Sequence, residues 1–124
     1  MTRWLVDASN VIGSRPDGWW RDRDGAAARL IEALRGFAGP DDDVVVVLDA
    51  GPASWAGREG ALEVAIAPTR GRNAADDEIA RRLEADHDPA SIRVVTSDKD
   101  LAARARARGA TVVGAGDFRR RLGY

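Results

Sequence analysis

The sequence contains no cysteine, one histidine and no long apolar run, and each absence narrows the chemistry available to the chain. Without cysteine, disulfide bonds and thiolate metal sites are excluded. With His87 as the single histidine, a histidine-rich zinc site is excluded as well, and this residue is expected to lie on the surface. No run of about 18 apolar residues is present, so no membrane-spanning helix is predicted. The chain reaches Asp7 without the apolar segment of a signal peptide, and a cytoplasmic location is expected.

What the chain does contain fits a soluble globular protein. Its 124 residues are 44% hydrophobic and 31% charged, which predicts a single domain over residues 1–124. The net charge is −1, but six arginines face one acid over residues 101–124, whereas residues 41–43 are all aspartate. A basic end beside acidic clusters suits an anionic polymer and a cation. A solvated arginine-rich helix face explains the same pattern, and both interpretations stay open.

Short β-branched or apolar runs alternate with segments of helical periodicity. This alternation predicts an α/β domain with a mainly parallel central sheet. The run Val44–Leu48 lacks polar alternation and therefore predicts a strand that is buried on both faces. Strands are predicted at 5–7, 44–48, 62–67, 92–96 and 111–113. Helices are predicted at 25–37 (capped by Asp24), 74–85 and 98–108, with a helix or turn at 115–122 and loops at 14–24, 51–60 and 69–73.

Three of the predicted strands run into an aspartate, namely Asp7, Asp49 and Asp98. In a parallel sheet these acids share the carboxyl edge, where neighbouring strands are about 4.8 Å apart. Carboxylates at that spacing repel one another unless a cation or a proton is taken up. Mg²⁺ prefers oxygen ligands and takes one or two carboxylates together with water and phosphate oxygens. The pattern therefore predicts a divalent metal site at this edge.

The helix predicted at 74–85 adds two acids. Asp76 shares a stripe with Ile79 and Leu83 and is expected to face the sheet, where an unpaired acid is costly. Asp77 lies about 100° further round the helix and is expected to flank the site or to act through water.

Capping offers a structural explanation for some of these residues. Asn73 with Asp76, and Ser97 with Asp100, both resemble capping boxes. Asn10 could orient Asp7 or contact a phosphate, but a turn or helix cap is the commoner role of asparagine. Caps do not explain acids at strand ends, so the convergence of the acidic segments favours a functional site.

Four motifs in order resemble the NYN domains, which are PIN-like nucleases, and in particular their YacP-like branch. Residues 7–13 resemble the D-x-x-N-V-I-G opening, and residues 48–51 resemble the "FDG" motif of the second strand. Residues 75–79 resemble the A-D-x-x-I helix, and residues 95–101 resemble the T-S-D-x-D segment. Ala8 and Ala50 depart from the family pattern, but neither departure removes an acid.

The resemblance implies a three-layer α/β/α PIN-like fold, a Mg²⁺ or Mn²⁺ cofactor and hydrolysis of RNA phosphodiester bonds. By motif position it implies Asp7, Asp76 and Asp98 as core metal ligands. Asp100 and Asp77 would complete the site, and Asn10, Asp49 and Ser97 would support it.

Several basic and aromatic residues are candidates for RNA contacts. Arginine binds phosphate, and aromatic rings stack on unpaired bases, which favours a single-stranded or looped substrate. Packing of the tryptophans against the domain or a partner is the equal alternative. The candidates are Arg15, Trp19, Trp20, Arg21 and Arg23 after the first motif, with Arg70 and Arg72 before the helix that carries Asp76.

Two other functions stay open. Receiver domains and phosphatases also place acids around Mg²⁺, but the acid pair or D-x-D opening that they carry is missing after the first strand. A non-catalytic RNA-binding or adaptor domain of the same fold is the second alternative, although the loss of Asp7 or Asp98 that would favour it is not seen.

Overall fold

The structure is a computed structural model that describes residues 1–71 and 73–124. Over these residues it contains one six-stranded sheet and five α-helices. The strands are β1 (Thr2–Asp7), β2 (Asp42–Leu48), β3 (Gly57–Glu59), β4 (Leu62–Ile66), β5 (Ile92–Val95) and β6 (Thr111–Val113). The helices are α1 (Ala8–Gly13), α2 (Arg23–Phe37), α3 (Ala74–Ala85), α4 (Lys99–Ala107) and α5 (Ala115–Leu122). Short 3₁₀ turns span Trp19–Arg21, Ala53–Trp55 and Pro89–Ser91.

The sheet lies between two helical layers, as expected. Its order is β3-β4-β2-β1-β5-β6, and every strand is parallel to its neighbour except β3, which is antiparallel to β4. Alternate side chains of β1 point to opposite faces. Trp4 and Val6 join a core with α1, α2 and α5, whereas Leu5 joins a second core with α3 and α4. The three-layer α/β/α fold with a mainly parallel sheet is therefore confirmed.

The strand order reverses between β1 and β5. The chain builds outward from β1 through β2 to β4, and α3 then returns it to β5 on the other side of β1. Open α/β sheets bind ligands outside the carboxyl ends of their strands at such a switch point. Asp7 ends β1, and residues 96–98 follow β5, so both flank this point.

Three local predictions were wrong. Helix α1 was not predicted, because six residues are too short for a helical period to be visible. The segment predicted as a loop over 51–60 contains β3, whose three residues are all exposed and so show no apolar alternation. Helix α2 is capped by Asp22 rather than Asp24, because the Asp22 carboxylate accepts from the Gly25 N–H at 2.9 Å.

In the described part of the chain, no helix is both long and apolar enough to cross a bilayer.

Candidate active site

Asp7 is the most buried acid at the carboxyl edge, with 1% of its surface exposed. It lies two residues after Leu5 and therefore faces the same side of the sheet, toward α3 and α4. Its Oδ2 accepts hydrogen bonds from Asn10 Nδ2 at 2.5 Å and from Thr96 Oγ1 at 3.2 Å. Its Oδ1 is buried without a hydrogen-bond partner among the described residues. One oxygen of a buried carboxylate is thus left for a proton or a cation.

Burial, followed by the charge of Asp76, raises the pKa of Asp7 from 3.8 to about 7. The pKa of Asp76 is also raised, first by burial and then by Asp98, Asp49 and Asp77, although the interaction with Asp7 opposes this rise. The two carboxyl groups lie within hydrogen-bonding reach, so they interact favourably only if they share a proton or a cation.

Thr96 connects Asp7 to Asp98. Its side chain is 2% exposed, and its Oγ1 donates to Asp7 and accepts from the Asp98 N–H at 3.1 Å. Asp98 is the N-cap of α4, where its Oδ1 accepts from the Leu101 N–H at 2.9 Å. The Ser97–Asp100 capping box is therefore wrong, because the cap is supplied one residue later by Asp98.

Asn10 and Ser97 tie together the segments around Asp7. Asn10 donates to Asp7 through Nδ2, and its Oδ1 accepts from the Ser97 N–H at 3.1 Å. The Ser97 hydroxyl oxygen in turn accepts from the Ala115 N–H at 3.1 Å, at the start of α5. The ends of β1 and β5 and the start of α5 are thus joined by side chains with defined orientation.

Asp49 holds the start of α3. Its Oδ1 accepts from the Ala75 N–H at 3.0 Å, and its Oδ2 accepts from the Ser9 hydroxyl. The Asn73–Asp76 capping box is wrong, since Asn73 makes no capping bond and Asp49 supplies the acceptor from another strand. Asp76 is half-buried one residue after Ala75, so Asp49 also fixes the position of Asp76.

The predicted cluster of five acids is assembled only in part. Asp7 and Asp76 are adjacent, whereas Asp77 and Asp100 are exposed, and Arg104 lies 3.8 Å from Asp77. Within residues 1–71 and 73–124, no group of three or more acidic, histidine or cysteine side chains is arranged to hold a metal ion. Asp49 and Asp98 each use one carboxylate oxygen to accept from a backbone N–H group. The chemistry of the remaining donors, above all the unpartnered Asp7 oxygen, nevertheless suits a hard divalent cation.

The structure separates the candidate RNA contacts into two groups. Trp19 and Arg23 line an open groove of about 590 Å³ that also contains Ser9 and Asp49. Arg23 and Arg70 line the adjoining groove, again with Asp49. Trp19, Arg23 and Arg70 therefore lie in grooves that adjoin Asp49. Arg72 lies outside the described residues.

The second group is engaged elsewhere. Arg15 forms an ion pair with Asp17 at 3.2 Å and stacks on the Tyr124 ring. Arg21 lies over the ring of Trp20, which is 57% exposed. Trp19 is instead half-buried against the core, so packing and RNA contact are both available to it.

Thr96 and Ser9 are the site residues that the sequence reasoning missed. Thr96 follows the period-two stripe of Ile92 and Val94, which would place a polar group on the same face as Asp7. That signal was available in the sequence. No comparable signal marked Ser9, because its contact with Asp49 depends on the unpredicted helix α1.

Comparisons with known proteins agree with this fold. Two solved structures of Rae1 (YacP) from Bacillus subtilis are similar to the chain. One, of a mutant protein, has a TM-score of 0.76 at 24% identity and covers 99% of this chain and 76% of that chain. The other has a TM-score of 0.75 at 25% identity and covers 99% of this chain and 74% of that chain. No curated protein matches the sequence. The sequence model described as the YacP-like NYN domain matches residues 4–123, which confirms the resemblance of the motifs, and the chain therefore belongs to that family.

Proposed function

We propose that the chain is a divalent-metal-dependent ribonuclease that hydrolyses RNA phosphodiester bonds at the carboxyl edge of its sheet. NYN domains are generally ribonucleases, which supports the reaction class. The observation that carries the proposal is the Asp7–Asp76 pair. The pair joins a buried carboxyl group, one oxygen of which has no partner among the described residues, to a half-buried one, and it lies at the switch point of the sheet.

The residues that would hold Mg²⁺ or Mn²⁺ are Asp7, Asp76 and Asp98, with Asp100 and Asp77 completing the site from the exposed side. Two carboxylates, together with water and phosphate oxygens, complete the coordination of Mg²⁺. A preformed group of three protein ligands is therefore not required. When bound, the metal would lower the pKa of water and would offset the negative charge on the phosphodiester oxygens.

The chain's own residues set the position of these acids. Thr96 and Asn10 donate to the same Asp7 oxygen, which leaves Oδ1 without a hydrogen-bond partner among the described residues. Asp49 anchors the start of α3, and Ser97 anchors the start of α5. Supporting groups that orient a ligand contribute strongly to metal affinity and activity.

RNA is the proposed substrate, in single-stranded or looped form. Arg23 and Arg70 are placed to contact phosphates beside Asp49, and Trp19 offers a ring to a base in the same groove. Arg15, Arg21, Trp20 and Arg72 are proposed as outer contacts. The proposal includes a cytoplasmic location.

The test is cleavage of a labelled single-stranded RNA in Mn²⁺, Mg²⁺ or EDTA by the wild type and by Asp98→Asn. The substitution keeps the size of the side chain and removes its charge. Asp41→Asn is the matched control, because Asp41 is an exposed acid that precedes β2, at the opposite edge of the sheet. We expect cleavage in metal by the wild type and the control, and loss of cleavage in EDTA and in Asp98→Asn.

The other outcomes separate the alternatives. Equal cleavage by all three proteins indicates a contaminant or a different site. RNA binding without cleavage by the wild type, over a set of unrelated sequences, favours the non-catalytic binding domain. Hydrolysis of a small phosphate ester but not of RNA favours another magnesium-dependent phosphate chemistry.

A further inference from the structure

A third groove adjoins Asp98 on the side of β1 opposite to Asp49. It has a volume of about 460 Å³ and lies among the end of β5, helix α4, strand β6 and the residue before α5. Asp49 follows β2, so the grooves with Arg23 and Arg70 lie on one side of β1 and this one lies on the other. Its lining residues include Ser97, Asp98, Lys99, Arg106 and Gly114.

The two cations of this groove, Lys99 and Arg106, have no partner among the described residues. Lys99 and Arg106 are exposed, and within the described residues neither forms an ion pair or a side-chain hydrogen bond. The other arginines of this helical segment differ, since Arg104 pairs with Asp77 and Arg108 donates to the Glu84 carbonyl at 3.0 Å.

Helix geometry aligns these two charges. Lys99 and Arg106 are seven residues apart on α4, so they lie on the same face and about 10 Å apart along the axis. At that separation they can contact different phosphates of one strand. A row of positive charge that leads away from an acidic centre suits the backbone of a nucleic acid, which is bound chiefly through its phosphates.

We propose that this groove binds the RNA backbone, with Lys99 and Arg106 each contacting a phosphate on the far side of the scissile bond from Arg23 and Arg70. The inference rests on the proposed function and extends it, because it gives the substrate a path across both sides of Asp7. Asp98 lines this groove and is connected to Asp7 through Thr96, so contacts on both sides of Asp7 would hold the scissile phosphate over the acids.

The single lysine of the chain allows a test that does not depend on cleavage. Lys99 and the amino group of Met1 are the only aliphatic amines in the sequence, so peptide mass analysis after amine acetylation reports on each separately. We would label Asp7→Asn in Mg²⁺, with and without a 20-nucleotide single-stranded RNA, so that the RNA stays intact. We expect RNA to slow the acetylation of Lys99 but not that of Met1. Equal labelling of Lys99 with and without bound RNA would overturn the proposal.

A second measurement compares RNA binding and cleavage by Lys99→Gln, Arg106→Gln and the matched control Arg108→Gln. Each removes one positive charge, but Arg108 does not line the groove. We expect the first two substitutions to weaken binding by up to about five-fold each. They should also reduce the slope of log affinity against log salt by about 0.7 for each lost contact.

The control should leave the affinity and the slope unchanged. If all three substitutions change the RNA affinity and its salt dependence equally, the residues act only through the net charge of the protein, and the groove is not a binding subsite. Failure of the proposed function can be distinguished from failure of this inference. If the chain is not a ribonuclease, the wild type does not cleave RNA, but the protection of Lys99 by RNA can still be measured.

Discussion

Two carboxylates are buried among the residues that the structure describes, and their surroundings are opposite in kind. Asp7 is 1% exposed and Glu78 is 6% exposed. Hydrogen bonds from Arg81, and then from Arg82, lower the pKa of Glu78 although burial opposes this. Asp7 meets another acid instead, and its pKa rises to about 7. Glu78 lies in α3 and Asp7 ends β1, and of the two only Glu78 is neutralised by arginines of the chain.

The difference distinguishes a structural acid from the acid that is proposed to bind a metal. Glu78 accepts hydrogen bonds of 2.6 to 2.9 Å from Arg81 and Arg82, and Arg82 also donates a hydrogen bond to Glu63 at 3.0 Å. Such a group is satisfied and needs no ligand. Asp7 lacks a cationic partner among the described residues and keeps one bare oxygen. A buried acid in this condition destabilises the fold at neutral pH unless a cation binds, which is the behaviour expected of a metal site.

The largest effect is expected from removing the charge of Asp7 in metal-free protein. Because the pKa of Asp7 is higher in the folded chain than in the unfolded chain, the folded state binds more protons between pH 4 and 7. The free energy of unfolding in EDTA should therefore fall as pH rises from 5 to 8, by about 3 kcal/mol. Asp7→Asn should lack this fall and be more stable than the wild type at pH 8 in urea unfolding.

A divalent metal should remove the difference in stability between the wild type and Asp7→Asn at pH 8. Mn²⁺ or Mg²⁺ at pH 8 should stabilise the wild type but not Asp7→Asn, since only the wild type offers the carboxylate. Asp41→Asn is the control and should follow the wild type in both respects. Parallel pH profiles for the wild type and Asp7→Asn would show that Asp7 does not carry the buried charge.

A second effect should follow from the hydroxyl that connects the acids. Thr96→Val keeps the shape of the side chain but removes the donor to Asp7 and the acceptor for the Asp98 N–H. We expect cleavage to fall by about 10- to 100-fold and the metal concentration for half-maximal activity to rise. Thr96→Ser should restore much of both. Thr111→Val removes an exposed hydroxyl from β6 and should change neither, so a loss in that variant too would point to general damage.

The sequence was sufficient for the layers of the fold and for the edge where the acids meet. Buried parallel strands are continuous apolar runs, and a strand that ends in an acid places that acid at a known edge. It was insufficient for α1 and β3, which are too short to display a period. It also could not divide the acids by role, because the capping bond of Asp98 and the anchoring bonds of Asp49 depend on tertiary contacts.

Glu78 shows a signal that could be found in the sequence and was not used. Asp76, Asp77 and Glu78 are consecutive, but only Glu78 has arginines three and four residues later, the spacing at which helical side chains meet. The half-buried Asp76 lacks such a partner. Within an acidic run, the acid without a basic residue one turn away is the better candidate for a metal ligand.

The smallest effect, and the sharpest contrast with Asp7, is expected at Glu78. Glu78→Gln should lower the free energy of unfolding at pH 7 by about 1 to 2 kcal/mol, because charge-assisted bonds are lost while Arg81 stays largely solvated. Since the pKa of Glu78 is lowered by folding, its contribution is present at neutral pH and is lost as pH falls through the acidic range. The stability difference from the wild type should therefore shrink as the pH falls through the acidic range, which is the reverse of the pH dependence expected at Asp7. Glu84→Gln, at an exposed position of the same helix, is the control for urea unfolding, and cleavage should be unchanged in both variants. If Glu78→Gln were as stable as the wild type at pH 7, the arginines would not be stabilising this acid, and the contrast with Asp7 would reduce to burial alone.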